Sequence, residues 1–365
     1  MITLNEDQEK AVINLRDFIL FDRVNSEYML SGPAGTGKST IIRMAIKDYK
    51  GNVFLTATTN QAVDVLKTIW ETQSKETTAD IYVGTIHKLL GLYLDIEYDE
   101  ETENTIEVLK FNPAHENLLV KDNSVIIIDE ASMLSASMYK IVNEAIKLHN
   151  IKVIYMGDFQ QLPPIKENIS KVFDVPNKSI LTKVMRQKEG SNLLTFIQTI
   201  RNDPTITFNK DNTDIIYIRE EKEFVDKIYD HYNSEEFKKD PYHVKTIAWT
   251  NDRIKKYNNI IKQRVRGITA SKLDFIPGER LICVKRYSKQ KKSKGKTSTH
   301  IILNSSQEVT LESISIVKKC GITAYEMNVR DNRNKLIKVF TVKPSNFKNY
   351  MSKVNRYRRE YKSSQ

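Results

Sequence analysis

The sequence predicts an α/β protein, built mainly from parallel strands alternating with helices and carrying a basic, β-rich segment late in the chain. Three observations predict it. Short apolar runs, Tyr28-Met29-Leu30, Val53-Phe54-Leu55-Thr56, Val125-Ile126-Ile127-Ile128 and Val153-Ile154-Tyr155-Met156, alternate with helical spacings, as a buried parallel sheet requires. Ser31-Gly32-Pro33-Ala34-Gly35-Thr36-Gly37-Lys38-Ser39-Thr40 sits between the first run and the helical spacing Ile41, Ile42, Ala45, Ile46, and fits G-x-x-x-x-G-K-[ST]. Beyond Pro277-Gly278 the pattern turns to short β-like runs separated by lysines.

Length and composition bound what the elements can build. At 365 residues, two or three domains are expected. Hydrophobic residues make up 40% and charged residues 28%, the balance of a soluble globular chain. No segment reaches the roughly 20 apolar residues of a membrane span, and Met1-Ile2-Thr3-Leu4-Asn5-Glu6 lacks the regions of a signal peptide. No membrane partner is therefore expected, and the cytoplasm is the expected compartment. Cys283 and Cys320 lie in no metal-spaced motif and read as small apolar side chains; the six histidines form no H-x-x-x-H pair. The net charge of +11 suits a nucleic-acid partner, although solvated lysine explains it equally well.

Taken in order, Asn5-Glu6-Asp7-Gln8 starts a helix, with Asn5 as N-cap and Gln8 at the position that reaches back in a capping box. Ala11, Val12, Leu15, Phe18 and Ile19 give that helix one apolar face. The glycine-rich run is the phosphate-binding P-loop: backbone N–H groups wrap the phosphates, Lys38 reaches the terminal ones, and the next helix turns its N-terminus toward them. Gly32, Pro33, Ala34, Gly35, Thr36, Gly37, Lys38, Ser39 and Thr40 are the candidate nucleotide-binding residues.

The run at Val53 ends in Ala57-Thr58-Thr59-Asn60-Gln61, whose polar side chains would face the ligand side of an open sheet. Gly84-Thr85-Ile86-His87-Lys88-Leu89-Leu90 supplies Thr85, His87 and Lys88 as possible contacts to a phosphate backbone. Leu92 to Asn117 is acidic and β-branched, and predicts a β-hairpin insertion. The run at Val125 then delivers Asp129 and Glu130 at its carboxyl end. In a P-loop enzyme Mg²⁺ is held by the loop hydroxyl, here Ser39, and a strand-end acid, here Asp129; Glu130 can then polarise the attacking water.

Gly157-Asp158-Phe159-Gln160-Gln161-Leu162-Pro163-Pro164 follows the next strand, where Gln161 could sense a γ-phosphate and Pro163 shape the loop beneath a bound strand. In Val184-Met185-Arg186-Gln187, Arg186 is either a surface residue or an arginine carried to the transferred phosphate. Helices near Leu193 to Ile200, Phe224 to Tyr232 and Ile254 to Ile260 alternate with expected strands at Ile215 to Ile218 and Thr246 to Trp249, predicting a second α/β domain without a P-loop. Lys285 to Lys296, including Lys291 and Lys292, predicts a basic hairpin tip suited to phosphates rather than bases.

The motifs in this order resemble the superfamily 1 helicases of 5′-to-3′ polarity, in the Dda/RecD-like branch. The resemblance covers about the first 260 residues well and the basic β region more loosely. It identifies Leu4 to Gln8 as similar to an adenine-reading Q motif, Gly32 to Ser39 to motif I, Thr56 to Val63 to motif Ia and Gly84 to Leu90 to motif Ib. Asp129 to Ser132 is similar to motif II, Gly157 to Pro164 to motif III and Val184 to Gln187 to motif IV.

The resemblance implies a P-loop NTPase of two RecA-like domains, the second one incomplete, with a β-hairpin insertion and an SH3-like β-barrel insertion. The expected domains are 1–178 (ATP-binding, hairpin about 92–117), 179–276 (partial second RecA-like domain), 277–345 (basic barrel) and 346–365 (basic tail). It implies ATP and Mg²⁺ as cofactors and single-stranded DNA or DNA forks as partners. It adds Gln8 for adenine, catalytic roles for Glu130, Gln161 and Arg186, and DNA contacts at Thr58, Asn60, Thr85, His87, Lys88, Pro163, Asn251, Lys291 and Lys292. A phage source, and so host cytoplasm, fits the resemblance.

The family's C-terminal motifs V and VI find no match before Gln365. The expectation is accordingly a DNA helicase that is shortened, or one half of a split enzyme completed by a second chain. The alternative is a protein that binds ATP and single-stranded DNA with little or no unwinding.

Overall fold

The computed structural model describes residues 4–71, 77–99, 104–110, 119–185, 192–203, 205, 215–240, 243–267, 273–284, 287–293, 296–305 and 307–363. They fall in two compact units, Met1–Thr207 and Phe208–Gln365.

The first unit is built on a six-stranded parallel sheet of β1 (Glu27–Ser31), β2 (Asn52–Ala57), β3 (Asp80–Thr85), β6 (Val125–Asp129), β7 (Lys152–Gly157) and β8 (Lys178–Ile180), in the order β3-β2-β6-β7-β1-β8. The continuous apolar runs of the sequence are these strands. Leu30, Val53, Val125, Ile126, Ile128 and Ile154 are each at most 1% exposed, because helices cover both faces of a parallel sheet.

One face carries α1 (Glu6–Leu20) and α2 (Lys38–Ala45), whose Ala11, Leu15, Phe18, Ile41 and Ile42 close over Leu30, Leu55 and Ile127. The other carries α4 (Ile86–Leu89) and α5 (Ala136–His149) over Met29, Phe54, Ile126 and Tyr155. Helix α3 (Asn60–Glu71) packs Val63 and Leu66 beside Ala57. A two-stranded antiparallel hairpin, β4 (Tyr93–Asp99) and β5 (Asn104–Lys110), lies within Leu92 to Asn117, and α6 (Asn192–Asn202) ends the described helices of this unit.

The second unit combines α7 (Glu221–Tyr232), α8 (Glu235–Lys239) and α9 (Asn251–Arg266) with an antiparallel sheet of β9 (Arg280–Ile282), β12 (Glu308–Lys319), β13 (Ile322–Arg330) and β14 (Leu336–Val342), ordered β14-β13-β12-β9. Leu303, Leu311, Met327, Val329 and Ile337 form its core. The lysine-rich stretch is a separate hairpin, β10 (Tyr287–Ser293) and β11 (Lys296–Leu303), and the basic end is α10 (Phe347–Ser363).

One expectation is corrected here. Ile215 to Ile218 and Thr246 to Trp249 are irregular rather than strands, with Ile216 70%, Ile247 89% and Trp249 92% exposed. A strand needs a lateral partner for its backbone groups, and among the described residues neither segment has a ladder. Cys320, read from the sequence as a small apolar side chain, is exposed. It sits at φ 50° beside Gly321 at φ 68°, in the two-residue turn joining β12 to β13, where turn geometry outweighs the preference of a thiol for burial.

Candidate functional site

The P-loop joins β1 to α2, and its shape is set by three close approaches. Gly37, at φ 87°, is the N-cap of α2, and a Cβ there would meet Gln8 Nε2 at 2.9 Å. A Cβ on Gly32 would lie 2.7 Å from the carbonyl oxygen of Leu181, so glycine is required there by proximity rather than by φ. Leu181 N–H donates to Ser31 O (2.8 Å) and Met185 N–H to Gly35 O (2.8 Å), so the strap after β8 runs along the loop. Ser39 and Thr40 lie in the first turn of α2.

Gln8 forms the expected capping box with Asn5: its backbone N–H donates to Asn5 Oδ1 (2.9 Å), and its Oε1 accepts from Asn5 N–H (3.0 Å). Its Nε2 donates to Thr36 O (2.9 Å), and the residue is 5% exposed. The adenine contact implied by the resemblance therefore meets an amide already engaged by the chain, which in this structure braces the P-loop.

Beside the loop lies a cavity of about 640 Å³, lined by Gly32 to Gly35, Asp158, Gln160, Leu181 and Arg201 among others. Lys38 Nζ folds back onto Gly32 O (2.6 Å) and Pro33 O (3.1 Å). Burial lowers its pKa, while Asp129, Asp158 and Glu130 pull the other way and Arg201 adds to the lowering. A cation held on loop carbonyls and surrounded by acids suits an incoming polyphosphate, which offers a stronger partner than a carbonyl.

Strand β6 presents Asp129 at its carboxyl end, aligned through β2 with Ala57. Glu130 follows at φ 53°, in the left-handed region, with its N–H donating to Asp129 Oδ1 (2.9 Å). Such a backbone is strained for a glutamate and is the kind of geometry that sites retain. Burial raises the pKa of Asp129, against opposition from the Glu130 N–H and Lys38. Burial, then Asp129, raises that of Glu130.

The sign for stability follows. A carboxyl whose folded pKa lies above its unfolded value stabilises the fold when protonated, and that contribution is lost as pH rises through the folded pKa. At neutral pH Asp129 is thus a liability in the empty protein. Asp129→Asn, which keeps an oxygen for the Glu130 N–H, is expected to raise Tm at pH 7 by a few degrees, with the gain shrinking toward pH 4 in thermal denaturation.

Asp158 follows β7 and is only 3% exposed. Burial pushes its pKa up, but the hydrogen bonds and charge of Arg201, the Gln160 N–H and Lys38 outweigh this and hold it below the usual carboxylate range. Arg201 is a site residue that no sequence pattern announced, since it closes an ordinary amphipathic helix. Gln161, like Lys38, Ser39, Asp129 and Glu130, is not among the residues lining that cavity; its N–H closes a turn onto Asp158 O (3.0 Å). Arg186 lies outside the described residues.

The candidate DNA contacts of the first unit gather at the carboxyl edge of the sheet, where Thr85 aligns with Ala57. Thr85 caps α4, its Oγ1 accepting from Lys88 N–H (3.2 Å), and Lys88 is exposed. His87 is half-buried, which lowers its pKa. Thr58 precedes α3, where its Oγ1 is buried with no hydrogen-bond partner among the described residues, Asn60 opens that helix, and Pro163 is exposed. In the second unit Asn251 is the exposed first residue of α9, and Lys291 and Lys292 stand on β10 opposite Ser298 and Thr297.

A parallel sheet with a lysine-bearing phosphate loop after β1 and paired acids at the end of β6, one strand removed across β7, defines a P-loop nucleotide-binding protein. Residues 3–218 match the AAA domain, and the chain belongs to that family. It is 32% identical over 196 residues to an uncharacterized protein of Acanthamoeba polyphaga mimivirus, covering 50% of this chain and 39% of that protein. It is 25% identical over 296 residues to the ATP-dependent DNA helicase dda of Enterobacteria phage T4, covering 77% of this chain and 62% of the helicase. To the ATP-dependent DNA helicase Pif1 of Campylobacter jejuni it is 30% identical over 166 residues, 44% and 33% of the two chains. The chain thus spans less than two thirds of these relatives. A solved structure of Pif1 helicase from Bacteroides, in complex with ADP-AlF3 and single-stranded DNA, aligns with 93% of this chain and 74% of its own at TM-score 0.45 and 18% identity.

Proposed function

We propose that this chain is the motor portion of an ATP-dependent DNA helicase, hydrolysing ATP with Mg²⁺ at the P-loop. The carrying observation is that Lys38, Asp129 and Glu130 meet at one sheet edge, close enough for each charge to act on the others. The choice of DNA as track is supported by the likeness to the T4 helicase over 77% of the chain.

Lys38 would leave the loop carbonyls for the β- and γ-phosphates, and the N–H groups opening α2 would face the same oxygens. Ser39 and Asp129 suit Mg²⁺, which needs one or two protein oxygens beside phosphate. A carboxylate made costly by burial, with the charge of Lys38 opposing that cost, is a fitting donor. Bound there, the ion would neutralise developing phosphate charge. Glu130 would take the proton of the attacking water, Gln161 would reach the γ-phosphate and Arg186 would stabilise the transferred charge.

Thr58, Asn60, Thr85, His87, Lys88 and Pro163 would guide single-stranded DNA on the first unit, and Asn251, Lys291 and Lys292 on the second. The proposed modules are 1–178, 179–276, 277–345 and 346–365, with a second chain as a possible completing partner. DNA-stimulated ATPase assays and displacement of a labelled strand from a fork test the reading. Stimulated turnover supports the motor, whereas tight binding of both ligands without turnover favours a binding protein. Lys291→Ala/Lys292→Ala is expected to weaken DNA alike for all sequences and to reduce the log K against log salt slope by about 1 to 2.

A further inference from the structure

Arg201 lies near the end of α6, and its guanidinium grips Asp158 with both terminal nitrogens: Nη1 donates to Oδ2 at 2.6 Å and Nη2 to Oδ1 at 2.9 Å. The carboxylate is nearly inaccessible and the arginine side chain is 24% exposed into the same cavity as the P-loop. Gln160 completes the clasp, its N–H reaching Asp158 Oδ1 (3.1 Å) and its Nε2 reaching Arg201 O (2.9 Å). Helix α6 is thereby fastened to the loop after β7 by three hydrogen bonds at Arg201, and a fourth within the loop holds Asp158 and Gln160 together.

A buried carboxylate beside a phosphate pocket poses an electrostatic difficulty. It repels the incoming anion and competes for the lysine that should bind it. Asp158 and Arg201 line the same cavity as Gly32 and Pro33, the residues whose carbonyls hold Lys38 Nζ. We propose that Arg201 is a positioning residue of the nucleotide site, one that cancels the charge of Asp158 so that Lys38 stays available to the terminal phosphates and the loop after β7 stays at the cavity wall. The pair is neutral as a unit. The two-pronged fork suits this task better than a lysine point charge, because it fixes the carboxylate's orientation as well as its charge.

This inference rests on reading the cavity as an ATP site, and the test separates the two. Mg-ATP and Mg-ADP affinities are measured by titration calorimetry for the full chain, for Arg201→Ala and for Arg201→Ala/Asp158→Asn, alongside Tm. Arg201→Ala is expected to weaken ATP about 10- to 100-fold, and ADP less, because ATP brings an additional phosphate charge toward the bared carboxylate. Adding Asp158→Asn should return ATP affinity to within about threefold of the unaltered chain, because the repelling charge is gone. Arg201→Lys should fall between the two. Equal loss for ATP and ADP, or a double variant binding no better than Arg201→Ala, would show that the pair only supports the fold and would overturn the proposal. An unaltered chain that binds neither nucleotide would remove the reading of the cavity itself, and the proposal with it.

Discussion

Lys38→Ala is expected to lower Mg-ATP affinity at least about 100-fold and to abolish measurable turnover, without a fall in Tm large enough to explain either. Removing one member of a desolvated charge pair costs about 2–5 kcal/mol. Among the described residues the lysine donates to Gly32 O and Pro33 O, and it carries its charge against a burial cost. Its loss should therefore be felt by the ligand far more than by the fold. Titration calorimetry for binding and thermal denaturation for stability check the two halves separately. Unchanged affinity would overturn the assignment of the P-loop.

Glu130→Gln should behave differently, retaining Mg-ATP binding while turnover falls about 100- to 10,000-fold, the usual contribution of a positioned general base. The left-handed backbone at Glu130 and its N–H bond to Asp129 do not depend on the carboxylate, so the site's geometry should persist. The pH dependence gives a second signature. Burial first, then Asp129, raises the pKa of Glu130, and a base works only when deprotonated. Turnover should accordingly decline on the acid side at a pH above the ordinary glutamate range. Glu130→Gln should lack that limb; a limb that survives in the variant would assign the base elsewhere.

Much of the first unit was legible from local pattern. Four aliphatic residues before Asp129-Glu130 and the apolar run Tyr28-Met29-Leu30 before Ser31-Gly32 predict strands, and both strands are interior to the sheet. The capping box at Asn5 and Gln8 was legible because its two bonds join residues three apart. What Gln8 does with its remaining amide hydrogens was not, since Thr36 is 28 residues away and only packing brings it within 2.9 Å. Ile247 and Trp249 mislead for a related reason: apolar, β-branched and aromatic character predicts a strand, but a ladder requires a neighbour that composition does not reveal.

By itself the sequence determined the phosphate loop, the strand-end acids and the order of the parallel strands along the chain, because each depends on contiguous residues and on the periodicity of burial. Only the tertiary structure decided which charges share the cavity. Asp158 and Arg201 are 43 residues apart and their pairing arises from α6 folding back against the end of β7. A lone arginine at a helix end carries no mark of its partner. That partner is chosen by burial, which makes an unpaired Asp158 costly and so rewards the one arrangement that brings a guanidinium to it.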